Sequence, residues 1–342
     1  MLAGTYTYNT FVKIGIAGLG FMGATHLDAY AKIPGVEVAA VCAGNARALS
    51  GDLSQAGGNL PREAGVHDFS QMRKCTDWRE LVSDRELDAI DICLPTDLHE
   101  EVAVAALDSG KHVLCEKPMA LTGEDCRRMI GAAEKSRRIL MIGQVLRFWP
   151  EYMRLRDFVK SGEYGAVRSA TFVRRCGIPE WSRWLPEERR SGGAVLDLLV
   201  HDIDQVLLLF GMPDGVAAKS MGGPDAVMGT FLYPDKTEVR VQGGWFDAGI
   251  PFSMSFQVRA QRGELELRPD GLVLSDASGR RQQVETTGRD AYESQAAYFV
   301  ECCEKNQAPE RCRPEESAQA VEIALALKAS RARGGEQIRC LV

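Results

Sequence analysis

The feature that most constrains this chain is a glycine-rich loop near its start, Gly18-Leu19-Gly20-Phe21-Met22-Gly23. The apolar, β-branched residues 12–17 precede it and predict a buried strand, and residues 24 to about 33 predict a helix. A second predicted strand, at residues 36–41, follows about 20 residues after the loop. This order of strand, G-x-G-x-x-G, helix and strand indicates a dinucleotide-binding unit, whereas a purely structural turn is the alternative.

Each glycine of the loop has a distinct physical role. Gly18 permits the tight turn, Gly20 lets the backbone approach a pyrophosphate, and Gly23 lets the helix pack closely on the strand. The positive end of the helix dipole favours the phosphate charge. We therefore predict that the whole loop, including Leu19, Phe21 and Met22, contacts a dinucleotide.

Strands and helices alternate up to Gly143, which predicts a doubly wound parallel sheet in an α/β domain spanning residues 1–143. Strands are predicted at residues 88–94, 111–115 and 139–142, and helices at 78–82, 100–109 and 122–136. Residues 50–76 contain several glycines and a proline, so a helix with a loop insertion is predicted there.

Residues 144–342 show a different pattern, typical of an α+β domain with an antiparallel or mixed sheet. Helices are predicted at residues 151–161, about 197–210, 292–305 and 315–333, and we expect the C-terminal helices to pack back on the first domain. Strand character is found at residues 167–173, 226–233, 238–246, 252–260, 263–268 and 271–275.

Composition and charge exclude several function classes. The net charge of −6 argues against nucleic acid or an anionic membrane as partner, and no uncharged apolar run reaches about 18 residues. Ten cysteines without a C-x-x-C pattern predict free thiols, no metal site and a reducing, cytoplasmic location. Residues 1–10 lack the features of a secretory signal and are predicted to be a frayed lead-in.

The end of the second predicted strand bears on the choice of dinucleotide. NAD-selective sites carry an acidic residue here that binds the ribose hydroxyl, whereas this chain has Ala43. Asn45 or Arg47 is a candidate contact for a 2′-phosphate, although Arg47 as a solvated helix residue is an equal alternative. We predict NAD(P) as cofactor, with a slight preference for NADP.

Polar residues follow two further predicted strands. Leu94, Pro95 and Thr96 end one strand, and Glu116 and Lys117 precede Pro118 at the end of the next. Ligands of open α/β sheets bind at the carboxyl ends of the strands, so Lys117 is expected beside the nicotinamide. A surface lysine before a proline is the alternative, and only the position in the strand order favours chemistry.

A second candidate cluster lies on the apolar segment after Gly192-Gly193. A helix starting at about Ala194 would place Asp197 and His201 at i and i+4, on one face. Polar groups on so apolar a helix should be partnered or line a cavity, and a single ion-paired core histidine is the alternative. Trp181 and Trp184 are candidates for stacking on a sugar or the cofactor, with core packing as an equal alternative.

These motifs together resemble the Gfo/Idh/MocA family of NAD(P)-dependent oxidoreductases. The resemblance spans nearly the whole chain, through Glu116-Lys117-Pro118, Gly143 to Phe148, and Asp197 with His201. It implies a Rossmann domain followed by a domain with a large, mainly antiparallel open sheet. It also implies a homodimer or homotetramer formed through that sheet and polyhydroxylated substrates such as sugars and cyclitols.

By this resemblance Lys117, Asp197 and His201 are the catalytic group, with either Lys117 or His201 relaying the proton. The resemblance also implies a wider set of binding residues. Cofactor contacts are expected from Leu94, Pro95, Thr96, His99, Glu116, Lys117, Gln144, Trp184 and Tyr292, and substrate contacts from Arg147 and Trp181.

The chain departs from the family pattern at Asp97 and Gln144, where asparagine is more common, and in a longer segment between about residues 51 and 76. Two rival functions remain open at this point. One is an NAD-assisted glycosidase, which would release an aglycone without net reduction of the cofactor. The other is a non-catalytic nucleotide sensor, because fold resemblance by itself does not establish activity.

Overall fold

The computed structural model describes residues 12–62 and 65–340; the predicted lead-in at residues 1–10 lies outside them. The strands are β1 Val12–Ala17, β2 Val36–Cys42, β3 Arg73–Cys75, β4 Ala89–Ile92, β5 His112–Cys115, β6 Leu140–Ile142, β7 Val167–Gly177, β8 Gly215–Ser220, β9 Asp225–Leu232, β10 Glu238–Phe246, β11 Ser253–Ala260, β12 Gly263–Arg268, β13 Gly271–Asp276, β14 Arg281–Val284 and β15 Ile338–Arg339. The helices are α1 Phe21–Tyr30, α2 Ala46–Leu49, α3 Trp78–Ser83, α4 His99–Asp108, α5 Gly123–Ser136, α6 Pro150–Lys160, α7 Glu188–Ser191, α8 Gly193–Asp197, α9 Val200–Phe210, α10 Ala291–Lys305 and α11 Pro314–Ala332.

The first sheet has six parallel strands in the order β3-β2-β1-β4-β5-β6, which confirms the predicted doubly wound fold. The strand order reverses between β1 and β4, where Ala17 pairs with Ile92, and β4 is followed by β5, where Ile92 pairs with Cys115. The segments after these three strands therefore emerge side by side. This is the topological switch point at which such sheets bind ligands.

The described residues between 50 and 76 do not form the predicted helix with an insertion. The four-residue helix α2 ends before this segment, the chain turns at Gly51 (φ +94°), and the described residues from there to the short strand β3 are irregular. A Cβ on Gly51 would lie 1.9 Å from the carbonyl oxygen of His67, so the loop closes tightly on itself there.

The second sheet has nine strands in the order β14-β13-β12-β11-β7-β10-β9-β8-β15. Strand β7 is its centre and pairs parallel with β10 and antiparallel with β11, so the sheet is mixed and mainly antiparallel, as expected. Burial alternates along β10, where Val239 and Val241 face the helices and Arg240 is exposed on the other face. Strands β8, β14 and β15 of this sheet were absent from the sequence-based prediction, as was β3 of the first sheet.

The C-terminal helices connect the two sheets. Helix α10 packs on α1 and β1 of the first sheet, whereas α11 packs on α5, α9 and β8. Contacts therefore cross the predicted boundary between residues 143 and 144, which stays a prediction. Among the described residues, no helix is long and apolar enough to cross a bilayer. All ten cysteines are free thiols.

Candidate active site

A cavity of about 360 Å³ lies between the carboxyl edge of the first sheet and the second domain. Its floor includes Phe21 of the glycine-rich loop and Lys117 after β5, and its far wall includes Asp197 and His201. Residues Gln55 to Leu60 of the loop before β3 form part of the rim. One continuous space therefore joins the predicted dinucleotide loop to the predicted catalytic residues.

The glycine-rich loop has the shape that a pyrophosphate requires. Gly18 has φ +100°, and a Cβ there would lie 2.4 Å from the carbonyl oxygen of Cys93. A Cβ on Gly23 would lie 1.9 Å from the carbonyl oxygen of Gly18, whereas one on Gly20 would meet no atom within 4 Å. Helix α1 begins without a side-chain cap, so its first N–H groups remain available to an anion. These residues fit a dinucleotide cofactor.

The six loop residues do not all present side chains to the cavity. Phe21 and Met22 line it, but the Leu19 side chain is buried in the core of the first domain. Any contact of Leu19 with a cofactor is therefore made by its backbone.

The candidates for a 2′-phosphate contact are engaged with one another. The Asn45 Oδ1 accepts the backbone N–H of Arg47 at 2.9 Å and caps α2. The Arg47 guanidinium donates to Asp52 Oδ2 at 2.7 Å and to Ser54 Oγ at 3.0 Å. Ala43 follows β2 directly and contributes no acid. A 2′-phosphate would therefore compete with Asp52 for Arg47.

Lys117 reaches from the end of β5 across the cavity to the second domain. Its Nζ donates to the Asp197 backbone oxygen at 2.8 Å and to Asp197 Oδ1 at 3.1 Å. The two side chains are 15% and 11% exposed, so the pair is largely withdrawn from solvent while still facing the cavity. The peptide bond from Lys117 to Pro118 is cis.

The prediction of one helix carrying both Asp197 and His201 was wrong. Helix α8 ends at Asp197 and helix α9 begins at Val200, with Leu198 and Leu199 between them. Gly192 and Gly193 both have positive φ, near +79° and +78°, and turn the chain into α8. The break still leaves both polar side chains on the cavity wall.

His201 lies deep in the site. Burial lowers the pKa of His201 well below its usual value, and the Lys117 and Arg174 charges lower it further. Its Nδ1 is buried and has no hydrogen-bond partner among the described residues. An uncharged imidazole with an unused nitrogen is suited to accepting a proton or a substrate hydrogen bond.

Arg147 was predicted to contact substrate, and the structure contradicts this. Its guanidinium is buried against Asp204, with contacts of 2.6 and 2.9 Å, and donates to the Arg311 backbone oxygen at 2.8 Å. The group thus faces α9 and the loop before α11 rather than the cavity. Its role is to neutralise the buried Asp204 and to tie the segment after β6 to α9 and to the loop before α11.

Gln144 and His99 also lie behind the site. The Gln144 side chain is buried and its Nε2 has no partner among the described residues. The His99 ring nitrogens each lie 2.9 Å from a carbonyl oxygen, of Leu94 and of Pro118. His99 therefore ties together the loops after β4 and β5, whereas Leu94 and Thr96 line the cavity directly.

The predicted aromatic residues do line the cavity. Trp181, Trp184 and Tyr292 all contribute to its wall, and Trp181 is 45% exposed. A Cβ on Gly57 would lie 3.0 Å from the Trp181 side chain, and one on Gly58 would lie 2.4 Å from the Phe21 ring. The loop before β3 thus closes over both domains, a contact that its glycine-rich sequence did not reveal.

Arg174 is a site residue that sequence reasoning missed. The sequence pair Arg174-Arg175 suggests two solvent-exposed side chains. Adjacent residues of a strand, however, point to opposite faces of the sheet. Arg175 is exposed, whereas Arg174 is buried, lines the cavity and donates to both Asp202 oxygens at 2.8 and 3.0 Å. The period-2 alternation along β7 is the signal that could have found it.

Two protein-family models match this chain and show the family to which it belongs. Residues 12–144 match the oxidoreductase family with the NAD-binding Rossmann fold, and residues 152–266 match the Gfo/Idh/MocA C-terminal domain. The chain belongs to the Gfo/Idh/MocA oxidoreductase family.

Relatives in this family include several polyol dehydrogenases. Inositol 2-dehydrogenase of Salmonella typhimurium (strain LT2) is 32% identical over 200 residues, covering 56% of this chain and 53% of that protein. Levoglucosan dehydrogenase of Pseudarthrobacter phenanthrenivorans is 30% identical over 208 residues, covering 58% and 51%. The matches thus span about half the length of these curated relatives.

The solved structures extend the likeness over the whole fold. A levoglucosan dehydrogenase in complex with NADH and L-sorbose superposes with a TM-score of 0.83 and 22% identity, covering 96% of this chain and 99% of that chain. At this level of identity the likeness establishes the shared fold.

Proposed function

We propose that this protein is an NAD(P)-dependent oxidoreductase that transfers a hydride between nicotinamide and a carbinol or carbonyl carbon of a sugar, cyclitol or related polyol. The observation that carries the proposal is the contact of Lys117 with Asp197, beside His201, in a cavity that continues to the glycine-rich loop. Membership of the Gfo/Idh/MocA family supports it.

The bound nicotinamide would supply the hydride chemistry, and the protein must manage the proton and the charge on oxygen. The Lys117 ammonium, held by Asp197, can donate a hydrogen bond to the reacting oxygen and stabilise the negative charge that develops there. His201 is uncharged near neutral pH and has an unused nitrogen, so we assign it as acceptor of the hydroxyl proton. Asp197 keeps Lys117 in place and presents its second oxygen to a substrate hydroxyl.

The cavity wall suits a polyhydroxylated ring. Trp181 and Phe252 offer apolar faces on which the C–H groups of a sugar can stack, whereas Asp197 and Arg174 offer hydrogen-bonding groups for hydroxyls. The absence of an acidic side chain at Ala43 supports a slight preference for NADP(H). The ion pair of Arg47 with Asp52 weakens this preference, because a 2′-phosphate would have to compete with Asp52 for the guanidinium.

We also propose that the open face of the second sheet forms a homodimer or homotetramer interface and that the protein acts in the cytoplasm. Only one face of the sheet is covered by helices of its own chain, as the alternation along β10 illustrates. Sedimentation analysis of the purified protein tests the assembly, since a monomer at micromolar concentration would contradict it.

The function is tested by two measurements on the purified 342-residue chain. Titration with NADH and with NADPH, followed by nicotinamide fluorescence, should show saturable binding of at least one. A panel of sugars and cyclitols with the oxidised cofactor should then give absorbance at 340 nm for some members. Failure to bind either nucleotide would refute the dinucleotide site, and binding without any turnover across the panel would refute the proposed chemistry.

A further inference from the structure

A buried cluster of titratable side chains lies directly beneath the glycine-rich loop. His26 and Tyr30 come from α1, Asp91 and Cys93 from the end of β4, and Glu116 from the end of β5. His26 and Asp91 are 1% and 0% exposed. The mechanism proposed above uses none of the first four residues, so their burial together calls for an explanation.

The histidine ring lies between two carboxylates. Its Nδ1 is 2.8 Å from Asp91 Oδ2, which also accepts the Tyr30 hydroxyl at 2.9 Å. Its Nε2 is 3.3 Å from Glu116 Oε1, and neither of these two atoms has a hydrogen-bond partner among the described residues. A carboxylate on each side of the ring favours the doubly protonated form, in which each nitrogen directs a proton rather than a lone pair towards a carboxylate oxygen.

The surroundings favour this doubly protonated ring. Burial opposes a charge on His26, but the Asp91 charge and hydrogen bond outweigh it and raise the pKa of His26 well above its usual value. His26, Asp91 and Cys93 are also of metal-ligand types. However, the 2.8 Å between Nδ1 and Oδ2 is shorter than the roughly 3.3 Å that separates two ligand atoms around tetrahedral zinc, so the pair is hydrogen-bonded.

Glu116 links this ring to the catalytic lysine. Its Oε2 accepts the backbone N–H of Lys117 at 3.2 Å. A Cβ on Gly143 would lie 2.6 Å from Glu116 Oε1, so the carboxylate rests against the backbone at the end of β6. Three elements thus confine Glu116, and His26 supplies the positive charge that faces it.

We propose that His26 is a positioning residue for the reaction: its imidazolium, held by Asp91, fixes and neutralises Glu116 and so sets the orientation and charge balance of Lys117. The inference rests on the proposed function. Because His26 and Tyr30 belong to the helix that begins at the glycine-rich loop, the same device couples the dinucleotide end of the site to its catalytic end.

The pH dependence of the reaction rate should respond to the charged groups around His26 and to those around Lys117 and His201. The titratable groups facing His26 are those of Tyr30, Asp91, Cys93, Glu116 and Tyr292. Those around Lys117 and His201 are Glu116, Arg174, Cys176 and Asp197. Removing one positive charge from this set stabilises the protonated form of the remaining groups, whereas removing one negative charge does the opposite.

The test is the pH–rate profile of His26→Gln, measured with the 342-residue chain, its preferred cofactor and the best polyol of the panel. We expect kcat to fall at least tenfold, KM and NADH affinity to change less than threefold, and both limbs of the profile to move up by about half a pH unit. Glu116→Gln should move the profile to lower pH, and the double variant should return it towards its original position.

His112→Gln is the matched control, because His112 is also buried and lies on β5, at the end opposite Glu116. It should lower the melting temperature without moving the profile. A His26→Gln profile that stays in place, or a loss of activity that only follows thermal stability as in the control, would overturn the proposal. If His26→Gln alone does not fold, the double variant is compared with Glu116→Gln: a profile at higher pH in the double variant supports the charge role of His26, and identical profiles overturn it. A wild type without turnover would instead refute the proposed function.

Discussion

Two alanine substitutions in the glycine-rich loop should separate cofactor binding from folding. Gly20 has φ −78° and ψ −162°, which alanine can adopt, and a Cβ there meets no atom within 4 Å. Gly20→Ala at the start of α1 should cost under about 1 kcal/mol and lower the melting temperature by less than about 3 °C. A Cβ on Gly23 would lie 1.9 Å from a backbone oxygen, so Gly23→Ala should cost about 1–3 kcal/mol or more.

Gly20→Ala should have little effect on stability but a large effect on the affinity for the cofactor. Its new methyl group would occupy the space through which a phosphate reaches the first N–H groups of α1, and losing one or two charge-assisted hydrogen bonds corresponds to about 1.4–2.8 kcal/mol. We therefore expect NADH affinity, measured by fluorescence titration, to fall about ten- to hundredfold. Unchanged affinity in a folded Gly20→Ala protein would refute the placement of the pyrophosphate.

Three further substitutions or conditions test other parts of the account. Lys117→Met should lower kcat about a thousandfold with NADH affinity within several-fold, because Asp197 loses its cation and the reacting oxygen its donor. Asp52→Asn should raise affinity for NADPH relative to NADH by about threefold, because it releases Arg47. Burial, with the charge of a neighbouring arginine, lowers the pKa of His112 from 6.5 to about 4. The unfolded chain therefore takes up this proton first, so His112 should leave the free energy of unfolding unchanged above pH 6.5 and lower it between about pH 6.5 and 4.

Each of these has a control. Lys135→Met changes an exposed, ion-paired lysine on α5 and should leave kcat unchanged, whereas normal turnover in Lys117→Met would remove that residue from the mechanism. An unaltered ratio of NADPH to NADH affinity in both Asp52→Asn and Arg47→Ala would exclude Arg47 as a phosphate contact. His112→Gln should flatten the acid side of the melting-temperature profile, and an unchanged slope would assign the loss to other groups.

Five of the six strands of the first sheet could be predicted from the sequence because they are short, largely apolar runs with turn signals at their ends. The sixth, β3, was missed because it has only three residues, of which Arg73 and Lys74 are exposed. The spacing of Gly18, Gly20 and Gly23 also predicts the backbone shape of the loop, and the structure has close packing at Gly18 and Gly23 and open space at Gly20. The same reasoning missed β15, a two-residue strand whose pairing with β8 depends only on where α11 ends. Local sequence contains no signal for such an edge.

The three catalytic candidates predicted from the sequence line one cavity, and their catalytic role stays a prediction. Their surroundings depend on contacts between residues distant in sequence. The sequence spacing of Asp197 and His201 suggested one helix. The structure breaks this helix at Leu198 and Leu199, whose side chains are buried in two different hydrophobic clusters. Arg147 resembled a substrate-binding cation until the structure showed its buried partner, Asp204, 57 residues away. The His26 cluster gave no sequence signal, because its members come from three separate elements.

The most direct test of the account is the fate of the hydrogen on the reacting carbon. The wild-type protein would be incubated with oxidised cofactor and the best polyol, deuterated at its ring carbinol carbons, and the reduced nicotinamide would be examined by mass spectrometry. The account predicts one deuterium per nicotinamide reduced in the wild type and almost no labelled product with Lys117→Met. Release of an aglycone without net reduction, or reduced nicotinamide without the label, would contradict it.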